Sequence, residues 1–357
     1  MKRRLVPLLT AALLIAGISL GYGDTESQAP YLVKDIHTTG TSDPSMVGSL
    51  DGVLFFGADD GSHGHELWTS DGTASGTSLF KEFLPGISGE PPRYGVDVKG
   101  TLFFAATDPT HGRELWKSDG TPGGTVLVKD IIPVNQSSDP RPQLDFDGTL
   151  VFTVGDPDNQ LWTSDGTSSG TVMVAEYPDV SQPISDFTVA GTTLFFVVTG
   201  TPGMQLWKSS GTTSGTVLVK TMGNCSGAYQ WCLGGLTDLN GTLYFFWESQ
   251  LWKSDGTPGG TVLVKDLTLN PAPGEYLEQL RVADGTLFFT VYNPYFEREL
   301  WKSDGTGPVT VRVKDIYLAG NEDPGHLTIV GSTLYFDADD GTNGRELWKS
   351  NGTEAGT

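Results

Sequence analysis

From residue 31 onward, apolar residues come in short runs bounded by Gly, Asp, Ser and Thr. Runs of this length, rich in Val, Leu, Phe and Thr, predict strands, and the clusters between them predict tight turns. No amphipathic stretch of useful helical length interrupts the series. The pattern is that of an all-β chain.

The runs repeat. WKSDGTPGGTVLVKD, residues 116–130, recurs unchanged at 252–266. The tryptophans of this motif are Trp68, Trp116, Trp162, Trp207, Trp252, Trp301 and Trp348, in steps of 48, 46, 45, 45, 49 and 47 residues. Upstream of each lies a second signal: DGVLFF (51–56), KGTLFF (99–104), DGTLVF (147–152), AGTTLFF (190–196), NGTLYFF (240–246), DGTLFF (284–289) and GSTLYF (331–336). Each reads as strand, turn, strand. One unit therefore holds a short inner strand such as LRVAD (280–284), the TLFF strand, the ELW strand and the VLVKDI strand.

A four-stranded unit of this size cannot bury both its faces alone, so units must stack, and four to eight arranged radially make a β-propeller. A solenoid would need polar capping units at both ends, and the sequence has none. YLVKDI (31–36) is a fourth strand without its first three, and ELWKSNGTEAGT (346–357) is a third strand and turn without a fourth. The expectation is a single domain over 31–357: an all-β, seven-bladed β-propeller of four-stranded antiparallel blades, closed by the N-terminal strand pairing beside Trp348.

Within SDGTxxGT the Asp side chain accepts backbone N–H groups, Gly takes positive φ, and the Thr hydroxyls tie the loop to itself. Asp71, Asp119, Asp165, Asp255 and Asp304 hold this place. Ser210 replaces the Asp in the fourth unit, and GTGPVT (305–310) is read as a shortened turn in the sixth, so both staples are expected to be weaker. The motif tryptophans are expected to fill the wedges between blades.

ELWTSDGTASGT (66–77), ELWKSDGTPGGT (114–125) and ELWKSNGTEAGT (346–357) carry one full signature, and QLWTSDGTSSGT (160–171) and QLWKSSGTTSGT (205–216) deviate from it slightly. At these residues the sequence resembles the bacterial ELWxxDGT repeat proteins, also labelled hyalin-like, over nearly the whole chain after the leader. The resemblance implies export and a propeller fold, and it brings no established activity. The turn also resembles the Asp-box of sialidases, a structural device that implies no catalysis.

Composition narrows the partners. A formal charge of −21 repels phosphate backbones, so nucleic acid is excluded as a partner. Residues 1–23 have a basic start at Lys2–Arg4, an apolar run from Leu5 to Leu20 and small residues at Gly21 and Gly23, which reads as a signal peptide followed by a short linker, 24–30. After cleavage no transmembrane segment is expected. The protein is read as an exported monomer, secreted or periplasmic, and not as a lipoprotein, since no Cys lies near the cleavage site. Cys225 and Cys232, the only two cysteines, are expected to form a disulfide in an oxidising compartment.

Turns between strands one and two and between three and four share one uniform face of the disc. The remaining connections share the opposite, variable face, where a site is expected. Two clusters are expected there. Asp59, Asp60, Asp337, Asp339 and Asp340 would become neighbours on ring closure and offer oxygens to Ca²⁺, or serve as solvated turn residues. His63, His65 and His111 are a weaker choice for a transition metal. Tyr229, Trp231, Tyr276, Tyr292, Tyr295 and Phe296 lie outside the repeat pattern and would stack on sugar rings or anchor a protein partner, or else pack locally. Trp247 fits a core position of its strand.

No HExxH, phosphate loop or Cys/His pairing is present. The sequence is therefore read as a non-catalytic binding or adhesion protein without a required cofactor. A glycan-active hydrolase or lyase and a Ca²⁺-dependent surface protein are the alternatives.

Overall fold

The computed structural model describes residues 30–357 except 87–88, 134–135, 156–158, 181, 225–231, 269–275, 294–296 and 318–321. The leader lies outside the described residues. Among them no helix is long and apolar enough to cross a membrane.

Six sheets have four antiparallel strands and the last has three, each strand pairing with its sequence neighbour. Blade 1 shows the pattern: Ser45–Leu50 innermost, then Val53–Asp59, His65–Ser70 and Ser78–Lys81. Successive inner strands adjoin from the first blade to the last. The last blade contains Gly325–Val330, Thr333–Asp339 and Arg345–Ser350. The fold is all-β and propeller-like, with the seven units that the repeat predicts.

Register explains the LFF and ELW signals. In every blade a second-strand Phe stands directly across from the motif Trp, among them Phe56↔Trp68, Phe104↔Trp116, Phe196↔Trp207 and Phe289↔Trp301. Such cross-strand aromatic pairs stabilise a sheet where its face is covered. The Leu beside each Trp points to the following blade. Leu67 packs with Leu102 and Phe104, Leu115 with Leu150 and Phe152, and Leu300 with Leu334 and Phe336. All three are fully buried. Burying a leucine of this kind stabilises by roughly 1.5–3 kcal/mol.

The staple is built as its residues predict. Asp119 Oδ1 accepts from Thr121 N at 2.9 Å and Thr121 Oγ1 at 2.7 Å, and Gly120 sits at φ +88. Beneath it, Ser118 Oγ and Thr125 Oγ1 are buried and bonded at 2.8 Å. Ser210 keeps only a hydroxyl contact, 3.0 Å to Thr212 Oγ1. The sixth turn is not shortened. Asp304 Oδ1 still accepts from Thr306 N and Oγ1, and Ser303 Oγ bonds Thr310 Oγ1 at 2.7 Å, because SDGTGPVT has as many residues as SDGTPGGT and changes only the second half of the loop.

Lysine holds the seams. From several outer segments it reaches the next blade, though not from blade 3, where Ala175 takes its place: Lys129 Nζ donates to Thr171 O at 2.8 Å and lies 5.9 Å from the Trp162 ring, and Lys314 Nζ donates to Thr357 O and lies 5.9 Å from the Trp348 ring. The tryptophans do sit at these wedges, edge-on to Phe83 in the case of Trp116 and to Tyr177 in the case of Trp207.

The ends differ from the expectation. Residues 31–36 are not a strand and do not pair with Arg345–Ser350, which remains the edge of a three-stranded sheet. Leu347 is accordingly 76% exposed. The amino-terminal segment rests on blade 1 instead, with Lys34 Nζ donating to Thr77 O at 2.6 Å and Ile36 against Phe56 and Trp68.

Candidate functional site

The second-to-third-strand connections and the inter-blade connections meet on one face. Tyr177 N donates to Asn159 O at 2.9 Å, Leu267 N to Ser249 O at 3.0 Å, and Asp339 N to Glu322 O at 2.9 Å. Each inner strand enters from this face through a β-bulge. In four blades the bulge residue is a non-glycine with positive φ: Tyr94 (+62), Asp186 (+53), Gln279 (+58) and His326 (+51). Side chains in this region cost backbone energy, and bulges re-aim side chains at the rims of propellers and barrels. Asp186 reaches solvent yet is enclosed by protein, and burial pushes its carboxyl up.

The densest polar cluster spans blades 6 and 7. Arg298 donates from Nη2 to Glu278 Oε2 at 2.9 Å and from Nη1 to Asp323 Oδ1 at 2.8 Å. Arg345 donates to Asp323 and Asp337. His326 Nδ1 lies 2.7 Å from Asp337 Oδ1, and its side chain is 90% exposed. Burial alone would raise Asp337, but hydrogen bonds from His326 and Arg345 and the Arg345 charge together lower it. Gln279 Oε1 accepts from Leu327 N at 2.9 Å, and Arg281 Nε donates to Leu327 O at 3.1 Å, which fixes the two inner strands to each other. Two guanidinium groups, three carboxylates and an imidazole thus converge on the variable face.

The aromatic candidates fall beside this cluster only in part. Tyr276 and Tyr292 are register partners on neighbouring strands of blade 6. Tyr229, Trp231, Tyr295 and Phe296 lie outside the described residues, as does Cys225. Cys232 Sγ lies 3.8 Å from Met204 Sδ. Trp247 is a core residue, packed with Leu233 and Phe245.

Four of the five acidic candidates are turn acceptors, and Asp337 pairs with His326 and Arg345 instead. Asp59 Oδ1 accepts from Gly61 N at 2.7 Å and Asp339 Oδ1 from Gly341 N at 2.7 Å. Asp60 Oδ1 accepts from Ser62 N and His63 N, both at 2.9 Å, and Asp340 Oδ1 from Thr342 N and Asn343 N at 2.8 and 2.7 Å. His63 and His111 pair with the carboxylates of their own turns, Asp60 and Asp108, and each His is raised by that hydrogen bond. Among the described residues no group of three or more His, Cys, Asp or Glu is placed to hold a metal ion.

What the sequence reading missed is the seam between arginine and the Asp-Pro dipeptide. Arg298 pairs with Asp323 of the next blade, and buried Arg113 lies 3.8 Å from Asp139 of the next. Asp323 and Asp139 precede prolines at φ +37 and +47. The signal was present as Arg113, Arg298 and Arg345 at equivalent positions and as DP at 43–44, 139–140 and 323–324.

No family model matches the chain, and no curated protein matches it. Solved structures match weakly. A computationally designed protein, Ika8, is 12% identical, with 87% of this chain and 96% of that chain covered and a TM-score of 0.43. A prolyl endopeptidase (13% identity, 87% and 50% covered, TM-score 0.46) and oligopeptidase B from Leishmania major (10%, 87% and 49%, 0.47) also match. This chain spans about half the length of those two peptidases. By its own strand order and repeat, the protein is a propeller-like, all-β repeat protein.

Proposed function

We propose that this is an exported, monomeric, non-catalytic binding protein of the ELWxxDGT type, whose ligand is a glycan held on the variable face over blades 5 to 7. The observation that carries the reading is the cluster of two guanidinium groups, three carboxylates and an imidazole on the variable face over blades 6 and 7. Guanidinium and carboxylate groups of Arg298, Arg345, Glu278 and Asp337 supply donors and acceptors for sugar hydroxyls. Tyr292, with the non-repeat aromatics of sequence, supplies stacking faces. We assign Cys225 and Cys232 to one disulfide that stiffens the loop of blade 5.

The same proposal includes a closed ring of seven blades. Two half-seams support it. Leu347 is the exposed counterpart of leucines that elsewhere face the next blade, and Phe56 and Trp68 of blade 1 face only Ile36 and Leu79 on their outer side. Lys34 already makes the bond to blade 1 that Lys129 and Lys314 make to blades 3 and 7. On closure, Lys34 stands opposite Leu347, and Arg345 faces Asp43, which has φ +39 before Pro44 like Asp139 and Asp323.

A polysaccharide panel scored in parallel for retention and for turnover tests the function. Expected is retention without turnover, reduced severalfold or more in a Trp231→Ala/Tyr295→Ala double variant whose circular dichroism and melting are unchanged. Turnover of any glycan, or undiminished retention by the double variant, overturns the reading. Free thiols titrating in the non-reduced protein would overturn the disulfide.

A further inference from the structure

The uniform face, which the binding proposal leaves unused, carries a pocket of about 400 Å³ at the seam between blades 1 and 2. Leu50, Val53, Phe55 and Phe80 form its apolar lining, and Asp51, Thr69, Asp71 and Asp119 its polar one. Asp71 and Asp119 come from the staple turns of the two blades, and Asp51 from the turn between the first two strands of blade 1. Asp71 and Asp119 each use Oδ1 within their own turn, on Thr73 or Thr121. Neither Oδ2 has a protein donor among the described residues, and Asp119 is lowered chiefly by its Thr121 hydrogen bonds and only slightly by the Lys117 charge.

Comparison between seams shows why space opens here. At three other seams the staple glycine of the following blade lies against a second-strand Phe and a third-strand Lys of the blade before. A Cβ on Gly166 would meet Phe103 Cζ at 3.3 Å and both Cδ and Nζ of Lys117 at 3.6 Å. One on Gly256 would meet Phe195 Cζ and Lys208 Cδ at 3.3 Å, and one on Gly352 Phe288 Cζ at 3.1 Å and Lys302 Cδ at 3.7 Å. Lys302 also donates to Gly352 O, tying the seam. In blade 1 the motif reads WTS, and Thr69 stands where the lysine would be. Gly120 accordingly meets only Leu50 Cδ2, at 3.6 Å. Blade 3 also reads WTS, with Thr163, but there the Phe146 ring reaches Gly211 at 3.7 Å, from the strand position that Leu50 holds in blade 1.

We propose that this pocket binds a primary alkylammonium group, taking the alkyl stem over Phe55 and Phe80 and the charged head between Asp71 and Asp119. The gap has the chemistry of the lysine that three sister seams place in the same position. An alkyl stem on an apolar wall with its ammonium at a carboxylate rim is how lysine side chains settle on protein surfaces, and the charge-assisted hydrogen bonds orient the head. The group can belong to a lysine side chain or to a free linear diamine, and the test separates the two.

¹⁵N-labelled protein at low ionic strength, where screening is least, is titrated with 1,5-diaminopentane, with Nα-acetyl-lysine N-methylamide, and with 1-pentanol as the uncharged control. Expected are saturable shifts of the Thr69, Gly72 and Gly120 amides with the amines and none with the alcohol. Tighter binding of the diamine assigns the site to a free amine, and tighter binding of the lysine amide assigns it to a protein side chain. Asp71→Asn and Asp119→Asn should each weaken binding about two- to fivefold, the usual range for one exposed charge pair. Both leave the staple intact, since natural Asn351 accepts from Thr353 N and Oγ1 at 3.0 and 2.7 Å in the last unit. Thr69→Lys fills the pocket from within and should abolish the shifts while raising the melting temperature. Absence of saturable shifts with both amines, equal shifts with pentanol, or wild-type binding by Thr69→Lys overturns the proposal.

Discussion

Glutamate at the head of ELW is where single residues matter most to stability. Glu114 is buried and accepts from Ile131 N at 3.0 Å, Ser138 N at 3.1 Å and Ser138 Oγ at 2.6 Å, yet desolvation outweighs these bonds and pushes its carboxyl up to about 7. Glu322 is likewise pushed up to about 7 by burial against its bonds from Ile316 N and Leu300 N. A carboxyl that titrates higher in the folded chain than its ordinary 4.5 stabilises the fold when protonated. That stabilisation is lost as pH rises from about 4.5 to 7, by on the order of 3 kcal/mol per group as an upper bound. The staple aspartates act oppositely. Asp71, Asp119, Asp165, Asp255 and Asp304 are lowered by Thr hydroxyl and backbone hydrogen bonds, so their contribution is lost only as pH falls below about 3.8. Melting temperature should therefore peak between about pH 4 and 5, and Glu114→Gln with Glu322→Gln should flatten the decline toward pH 7. A curve rising steadily from pH 5 to 7 would contradict this assignment. Asp59, Asp60, Asp339 and Asp340 already serve backbone N–H groups in their turns. Chelation with EDTA should then leave the melting curve unmoved.

Elements were read more securely than sites. The LFF and ELW strands, their order and the staple turns follow from alternation and turn chemistry that each unit carries within itself. Seams escaped because their two halves lie in different units: Lys129 is meaningful only beside Thr171, and Arg298 only beside Asp323. The sixth turn keeps its full length because GTGPVT (305–310) changes residues and not their number, so Ser303 and Thr310 keep the spacing of Ser118 and Thr125. The aromatic site is harder to read for a different reason. Tyr and Trp serve cores and ligands alike, and Trp247 belongs to the core. The terminal element supplies its own test. In a closed ring, Leu347→Ala should cost about 2–5 kcal/mol like Leu115→Ala, whereas in an open row the exposed Leu347 should cost almost nothing. Equal destabilisation of the two variants in chemical denaturation supports closure, and a silent Leu347→Ala excludes it.

At the scale of the molecule, the lysine bonds to the staples run one way, from one blade to the staple of the next, and blades 2 and 5 hand on the same fifteen residues. Lys129 of the first copy meets Thr171, and Lys265 of the second meets Gly307 O at 3.4 Å. The copies are 136 residues apart and bracket three whole units. Deleting residues 117–252 joins the chain within the shared motif and keeps its turns and a ready-made join between blade 2 and blade 6. Four blades would remain, the smallest number from which propellers are built. The shared motif thus lets blade number change while the seam on either side of the join keeps its residues. A chain lacking residues 117–252 should express as a folded β protein with a cooperative thermal transition. Aggregation or a featureless melt would mean that the blades are fitted to their neighbours individually and are not interchangeable.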